Sequence, residues 1–248
     1  MLVALAEQHA ELDGILVGLD DDGWAQASLC DGWSVSDVVL HLAQTDEMAI
    51  ASVEGRMDAY LTDMIAGASG ITNVDDGAEL MVTRERGAPG PEVGARWRAS
   101  AALLRALFDA ADLQTRVQWV AGHLSTRTLA TTRLSEAWIH TRDVAEPLGV
   151  TLEPSPRLRY IARLAWRTIP YAFARSGRTL HGPVAFELRG TDGETWSFRP
   201  DDVPDTVVRG DATDLCLVAA RRVEPSATTL RAEGPDADGV LELVRTFA

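Results

Sequence analysis

The sequence predicts an α+β protein, with a four-helix bundle in the N-terminal part and a smaller α+β domain after it. Three observations carry this. Four long stretches of the first half place apolar residues at helical spacing. The character of the chain changes after Thr151-Leu-Glu-Pro154. Beyond that point, two short segments of strand type flank the turn sequence Gly190-Thr-Asp-Gly193. The expected domains are residues 1–152 and 153–248.

In order, residues 2–19 form the first helix, with Leu5, Leu12, Ile15, Leu16 and Leu19 on its apolar side, and Asp20-Asp21-Asp22-Gly23 ends it. Residues 24–33 read as a loop. Ser34 and Asp37 have the spacing of a capping box, so the second helix starts there, and it extends to about Met57. Residues 66–92, rich in Gly, Pro and acidic groups, read as a long connection of the kind that is usually a functional lid or disordered. The third helix covers about 94–113 and the fourth about 126–147, where Pro147-Leu-Gly149 stops it. Four such helices suggest a bundle. In the second part, residues 156–175 form a helix bent or ended near Pro170. Val184–Arg189 and Glu194–Phe198 form a hairpin, and Val207-Val208 and Thr228–Ala232 are further strands. Residues 211–222 and 235–247 are helices.

Composition narrows the function. With 46% hydrophobic and 24% charged residues the chain is of ordinary globular type, and it has no apolar run of membrane-spanning length. The N-terminus lacks the basic region of a signal peptide, which predicts a cytoplasmic protein. A net charge of −14 argues against nucleic-acid and anionic-membrane partners and leaves a small molecule as the expected ligand. A monomer or a homodimer is expected. Cys30 and Cys216 have no metal-binding spacing and read as two reduced, largely buried thiols. All 23 basic residues are Arg, which points to a GC-rich genome such as an actinobacterial one.

The residues that carry chemistry are His41, Glu136 and His140. Glu136 and His140 are four apart on the fourth helix, so they share a face, and His41 lies on the second. Two imidazoles and a carboxylate suit a divalent metal and leave a coordination position open, as catalytic sites do. Such a set takes zinc, nickel, iron or manganese, because affinity alone does not select among them. The competing reading is two half-buried histidines and a surface Glu. His123, just before the fourth helix, can line a pocket as an acid or base, although a loop histidine is more often solvated. Asp143 can orient a ligand from outside the coordination sphere, whereas Asp46 falls off the face of His41. Arg221-Arg222 is either a solvated helix end or an anion clamp. His9 and His181 have no supporting context.

Two segments, Gly32-Trp-Ser-Val-Ser-Asp-Val-Val-Leu-His-Leu-Ala43 and Arg133-Leu-Ser-Glu-Ala-Trp-Ile-His-Thr-Arg-Asp-Val-Ala-Glu-Pro-Leu-Gly149, are similar to the paired motifs of the DinB-like, mycothiol-dependent maleylpyruvate isomerase superfamily. The similarity continues through Tyr171-Ala-Phe-Ala174, Trp196, Gly210–Cys216, Arg221-Arg222 and Phe247-Ala248, and resembles an actinobacterial branch of metal-binding proteins. The resemblance implies that His41, Glu136 and His140 bind a divalent metal, usually zinc. It also implies a DinB-like bundle, a C-terminal domain closing over the metal, and mycothiol as thiol cosubstrate. Arg222, or its neighbour Arg221, is then the residue that holds an anionic group of substrate or cofactor. The superfamily includes isomerases, thiol S-transferases and members without a known substrate, so the resemblance is specific for the metal and not for the reaction. The leading expectation is a metal-dependent, mycothiol-dependent S-transferase or isomerase acting on an electrophilic metabolite. The alternatives are a thiol-independent Lewis-acid or hydrolytic enzyme, and a non-catalytic binding protein.

Overall fold

A computed structural model describes residues 1–66, 70–120 and 122–246. The chain divides after Leu152 into two compact units. Among the described residues, no helix is long and apolar enough to cross a membrane.

The first unit is built on four long helices, α1 (Leu2–Leu16), α3 (Val35–Val53), α6 (Gly90–Ala110) and α7 (Thr126–Ala145). Each packs on two others, in the ring α1–α6–α3–α7. Their inward faces bury Leu5, Leu12, Val38, Val39, Leu42, Trp97, Leu104, Phe108, Leu129 and Leu134. Full burial of such side chains is worth roughly 1.5–3 kcal/mol each and holds the bundle together. The capping box is present: Asp37 N–H donates to Ser34 Oγ at 3.1 Å, and Ser34 N–H donates to Asp37 Oδ2 at 3.0 Å. Ser125 caps α7 in the same manner through Thr128 N–H.

Short elements depart from the sequence reading. The segment 24–33 is not all loop, because α2 (Asp21–Ala25) buries Trp24. The second helix stops at Val53; Gly55, at φ +71, breaks it before α4 (Met57–Ile65). The stretch read as a long connection contains α5 (Val74–Glu85), capped by Asn73, whose Oδ1 accepts from Asp76 N–H. Burial of Met81 and Val82 holds it on the bundle. A hairpin of β1 (Arg116–Trp119) and β2 (Gly122–Ser125) precedes α7, where the sequence predicts no strand.

The second unit has a four-stranded sheet in the order β4-β3-β5-β6. β3 (Val184–Arg189) and β4 (Thr195–Phe198) form the expected hairpin. β5 (Thr206–Asp211) runs parallel to β3, and β6 (Arg231–Glu233) antiparallel to β5. The helix expected over 156–175 is two, α8 (Leu158–Arg167) and α9 (Ile169–Arg175), with Pro170 in the first turn of the second. α10 (Ala212–Ala219) and α11 (Ala237–Leu243) are shorter than expected. The end of the last predicted helix, and Phe247-Ala248, lie outside the described residues. The core of this unit contains Ile161, Phe186, Leu188, Trp196, Val208 and Leu215.

Candidate metal centre

α3 and α7 pack against each other and bring three donors together across 95 residues of sequence. Each of His41, Glu136 and His140 offers one ligand atom, and the three atoms lie within 4.8 Å of one another. Glu136 Oε2 is 3.8 Å from His41 Nε2 and 3.5 Å from His140 Nε2, and the two rings meet edge-on with centroids 5.0 Å apart. The His41 and His140 side chains are about one-tenth exposed and Glu136 is 20% exposed, so the carboxylate marks the open side.

These separations are long for hydrogen bonds. Two ligands about 2.1 Å from one tetrahedral ion are instead about 3.4 Å apart. His41 Nδ1 is buried without a partner. The other imidazole is fixed from behind, because His140 Nδ1 donates to Asp143 Oδ2 at 2.9 Å and Asp143 is fully buried. With Nδ1–H given to Asp143, the Nε2 edge of the ring faces Glu136 and His41, where a bound metal would displace any proton on it. A carboxylate behind a ligating imidazole is the usual outer partner of such a ligand. Donor type, spacing and outer support therefore fit a divalent cation held by His41, Glu136 and His140.

The titration of the trio reflects the same crowding. Burial keeps His41 below the usual imidazole range, only partly countered by the Glu136 carboxylate. Burial works against the charge on Glu136, but the two imidazoles beside it outweigh that and hold the carboxyl well below its ordinary value. For His140, burial works against the charge, but the Asp143 carboxylate at 2.9 Å, with Glu136 on the other side, outweighs it and raises the imidazole well above the ordinary value.

Other residues frame the trio. Trp33 lies against His41, with ring centroids 5.2 Å apart, and its indole N–H donates to Glu79 of α5 at 2.6 Å. Arg133, one turn before Glu136, is buried and donates to Asp46 Oδ1 at 3.0 Å and to Thr45 Oγ1 at 2.8 Å. Thr45 in turn donates to the carbonyl of His41. Asp46 thus faces Arg133, off the His41 face as its spacing indicates, and ties α3 to α7. Cys30 is half-buried and donates to Asp143 at 3.2 Å. The structure brings together the three residues singled out in the sequence, with Asp143 behind His140. The contact of Cys30 with Asp143 and the Arg133–Asp46 pair are not legible in the sequence, because the partners are 113 and 87 residues apart and leave no local signal.

His123 stands apart from the trio. It is exposed on β2, paired opposite Gln118, rather than in a loop. Ten residues of α7 from Thr126 to Glu136 amount to about 15 Å of rise. The hairpin also meets α3 near Ser52, whose hydroxyl donates to Gln118 O at 2.5 Å, about as far along α3 from His41. Arg221 and Arg222 lie in the second unit, just past α10. Arg222 N–H donates to Leu217 O and Arg221 N–H to Val218 O, both at 3.0 Å. These are the two bonds of a Schellman motif, and Arg221 takes the left-handed position at φ 59. Arg222 Nη1 donates to Ala220 O at 3.0 Å. His9 is buried beside Arg105, and His181 binds Asp236 in the second unit.

The family model for the mycothiol maleylpyruvate isomerase N-terminal domain matches residues 5–145, and the model for the MDMPI C-terminal domain matches residues 158–242. The chain belongs to the mycothiol maleylpyruvate isomerase family. It is 34% identical to an uncharacterised protein of Mycobacterium tuberculosis, in strain CDC 1551 / Oshkosh and in strain H37Rv. The match covers 98% of this chain and 93% of that protein. Crystal structures of the mycothiol-dependent maleylpyruvate isomerase and of a histidine-to-alanine variant share the fold. The TM-score is 0.59, with 15% identity, over 95% of this chain and 94% of theirs. The α+β fold and the DinB-like relationship expected from the sequence therefore hold.

Proposed function

We propose that this member of the mycothiol maleylpyruvate isomerase family is a metal-dependent enzyme that uses mycothiol as a thiol cosubstrate, acting as an S-transferase or isomerase on an electrophilic small molecule. The observation that carries the reading is the convergence of His41, Glu136 and His140, with separations suited to one divalent ion. Zinc is the metal most consistent with two imidazoles and a carboxylate. A divalent ion bound there supplies a position at which a coordinated thiol exists as the thiolate at neutral pH.

The chain's own residues do the rest. Asp143 holds the His140 ring in one tautomer. Arg133 and Asp46 fasten the two donor helices. Trp33, against His41, offers a flat apolar surface beside the trio for the unsaturated part of a substrate. A thiolate held there would add to an electrophilic carbon, leaving the charge on the adjoining carbon or oxygen; uptake of the proton shed by the thiol and release of the adduct would be S-transfer, whereas rotation about the former double bond and expulsion of the thiolate would be cis–trans isomerisation. The family resemblance assigns Arg222, or Arg221 beside it, to an anionic group of substrate or thiol, and this assignment is part of the proposal. His123 as acid or base is not, since it stands exposed on β2.

The test is turnover of a panel of activated alkenes and epoxides by the zinc-loaded protein, with and without mycothiol. Product that requires the thiol and disappears in Glu136→Gln supports the reading. Product formed equally without thiol contradicts it.

A further inference from the structure

Cys30 lies 113 residues before Asp143, yet its Sγ is 3.2 Å from Asp143 Oδ2. The same oxygen is 2.9 Å from His140 Nδ1, and Sγ itself is 3.8 Å from that nitrogen. The thiol therefore sits on the edge of the His140 ring away from Glu136 and His41. Cys30, His140 and Asp143 also form a group of three possible metal donors. That group would use Nδ1, whose N–H is already donated to Asp143.

The loop around Cys30 fixes this contact. Leu29 N–H donates to the backbone carbonyl of Asp143 at 3.0 Å, so successive residues engage the carbonyl and the carboxylate of one aspartate. Ser28 Oγ accepts from Cys30 N–H at 3.1 Å and donates to Trp33 O at 2.8 Å, and Trp33 N–H returns to Cys30 O at 3.0 Å. A bridge between Ala27 and Ser34 closes the loop.

One carboxylate oxygen thus receives two donors. Each hydrogen bond to a carboxylate stabilises its charge and lowers its basicity, so each donor weakens the other. A thiol is a weak donor, so its effect is a trim and not a replacement of the His–Asp bond.

We propose that Cys30 is a positioning residue: its S–H shares Asp143 Oδ2 with the His140 Nδ1–H and sets how strongly Asp143 draws on the His140 ring. This rests on the reading above, in which His140 presents Nε2 to a metal.

The test is the Nδ1–H proton resonance of His140 in metal-free protein labelled with ¹⁵N-histidine. Cys30→Ala and Cys30→Val both remove the donor, and the signal moves downfield as the His–Asp bond strengthens. Cys30→Ser keeps a donor and brings the signal back toward its native position. A signal unmoved in both donor-free variants, or moved upfield in them, overturns the proposal, as does the same displacement in Cys30→Ser. Zinc binding by the unmodified protein is measured alongside. Its absence removes the metal reading but leaves the resonance to decide the role of Cys30.

Discussion

Replacing Arg133 by Met tests how the donor helices are held together. Arg133 and Asp46 are each 1% exposed, and their 3.0 Å contact joins α7 to α3 within a turn or two of all three donors. Asp46 Oδ2 already has no partner. Removing the guanidinium leaves a buried carboxylate uncompensated, at a cost of about 3–5 kcal/mol. At roughly 2–4 °C per kcal/mol for a chain of this size, the midpoint of thermal unfolding falls by about 6–20 °C. The cost depends on pH with a definite sign. Burial raises the Asp46 carboxyl, countered in the native protein by Arg133. In the variant, folded Asp46 takes up a proton that the unfolded chain releases, so the deficit grows as pH rises above the ordinary carboxyl range. The double variant Arg133→Met/Asp46→Leu regains most of the loss, because an apolar pair can replace a buried ion pair at little cost. The assay is urea and thermal unfolding followed by circular dichroism at pH 5 and pH 8. A loss below about 1 kcal/mol, as for an exposed pair, or no recovery in the double variant, refutes the reasoning.

Two further perturbations follow from particular residues. Burial, with Arg105 and Arg133 nearby, pushes His9 down to about 3, and its Nδ1 contacts Arg105 Nη1 at 2.6 Å as a neutral acceptor. The unfolded chain binds a proton below about 6.5 that the folded state refuses. Stability therefore falls from about pH 6.5 toward 3, by at most about 4–5 kcal/mol, and His9→Gln flattens that slope in urea titrations across the range; an unchanged slope contradicts it. Arg221→Gly relieves a non-glycine residue of its left-handed conformation at φ 59 and stabilises the protein by about 1 kcal/mol in the same assay. Destabilisation by that change would show that the Arg221 side chain contributes more than its backbone costs.

What could be read from the sequence follows from the range of each signal. The long helices announce themselves through apolar spacing and, for α3, through the Ser34–Asp37 box, because both act within a few residues. The β3–β4 hairpin is legible for the same reason, since a Gly-rich turn lies between two strand-forming runs. α5 is hidden because only Met81 and Val82 are buried and its cap lies in a polar, glycine-rich stretch. β1 and β2 are four residues each, too short to show alternation. At the site, the i,i+4 pair on α7 is a local signal, and motif similarity joined His41 to it. Cys30 on Asp143 and Arg133 on Asp46 arise only when distant segments pack, so nothing near either residue encodes them.

The central claim is that His41, Glu136 and His140 hold one divalent ion. Elemental analysis of protein purified under metal-replete conditions tests it most directly, with His41→Ala, Glu136→Gln and His140→Ala run in parallel and their folding checked by circular dichroism. The account predicts one equivalent of metal, chiefly zinc, in the unmodified protein and a large loss in each folded variant. Folded variants that retain a full equivalent, or an unmodified protein that takes up none, would contradict it.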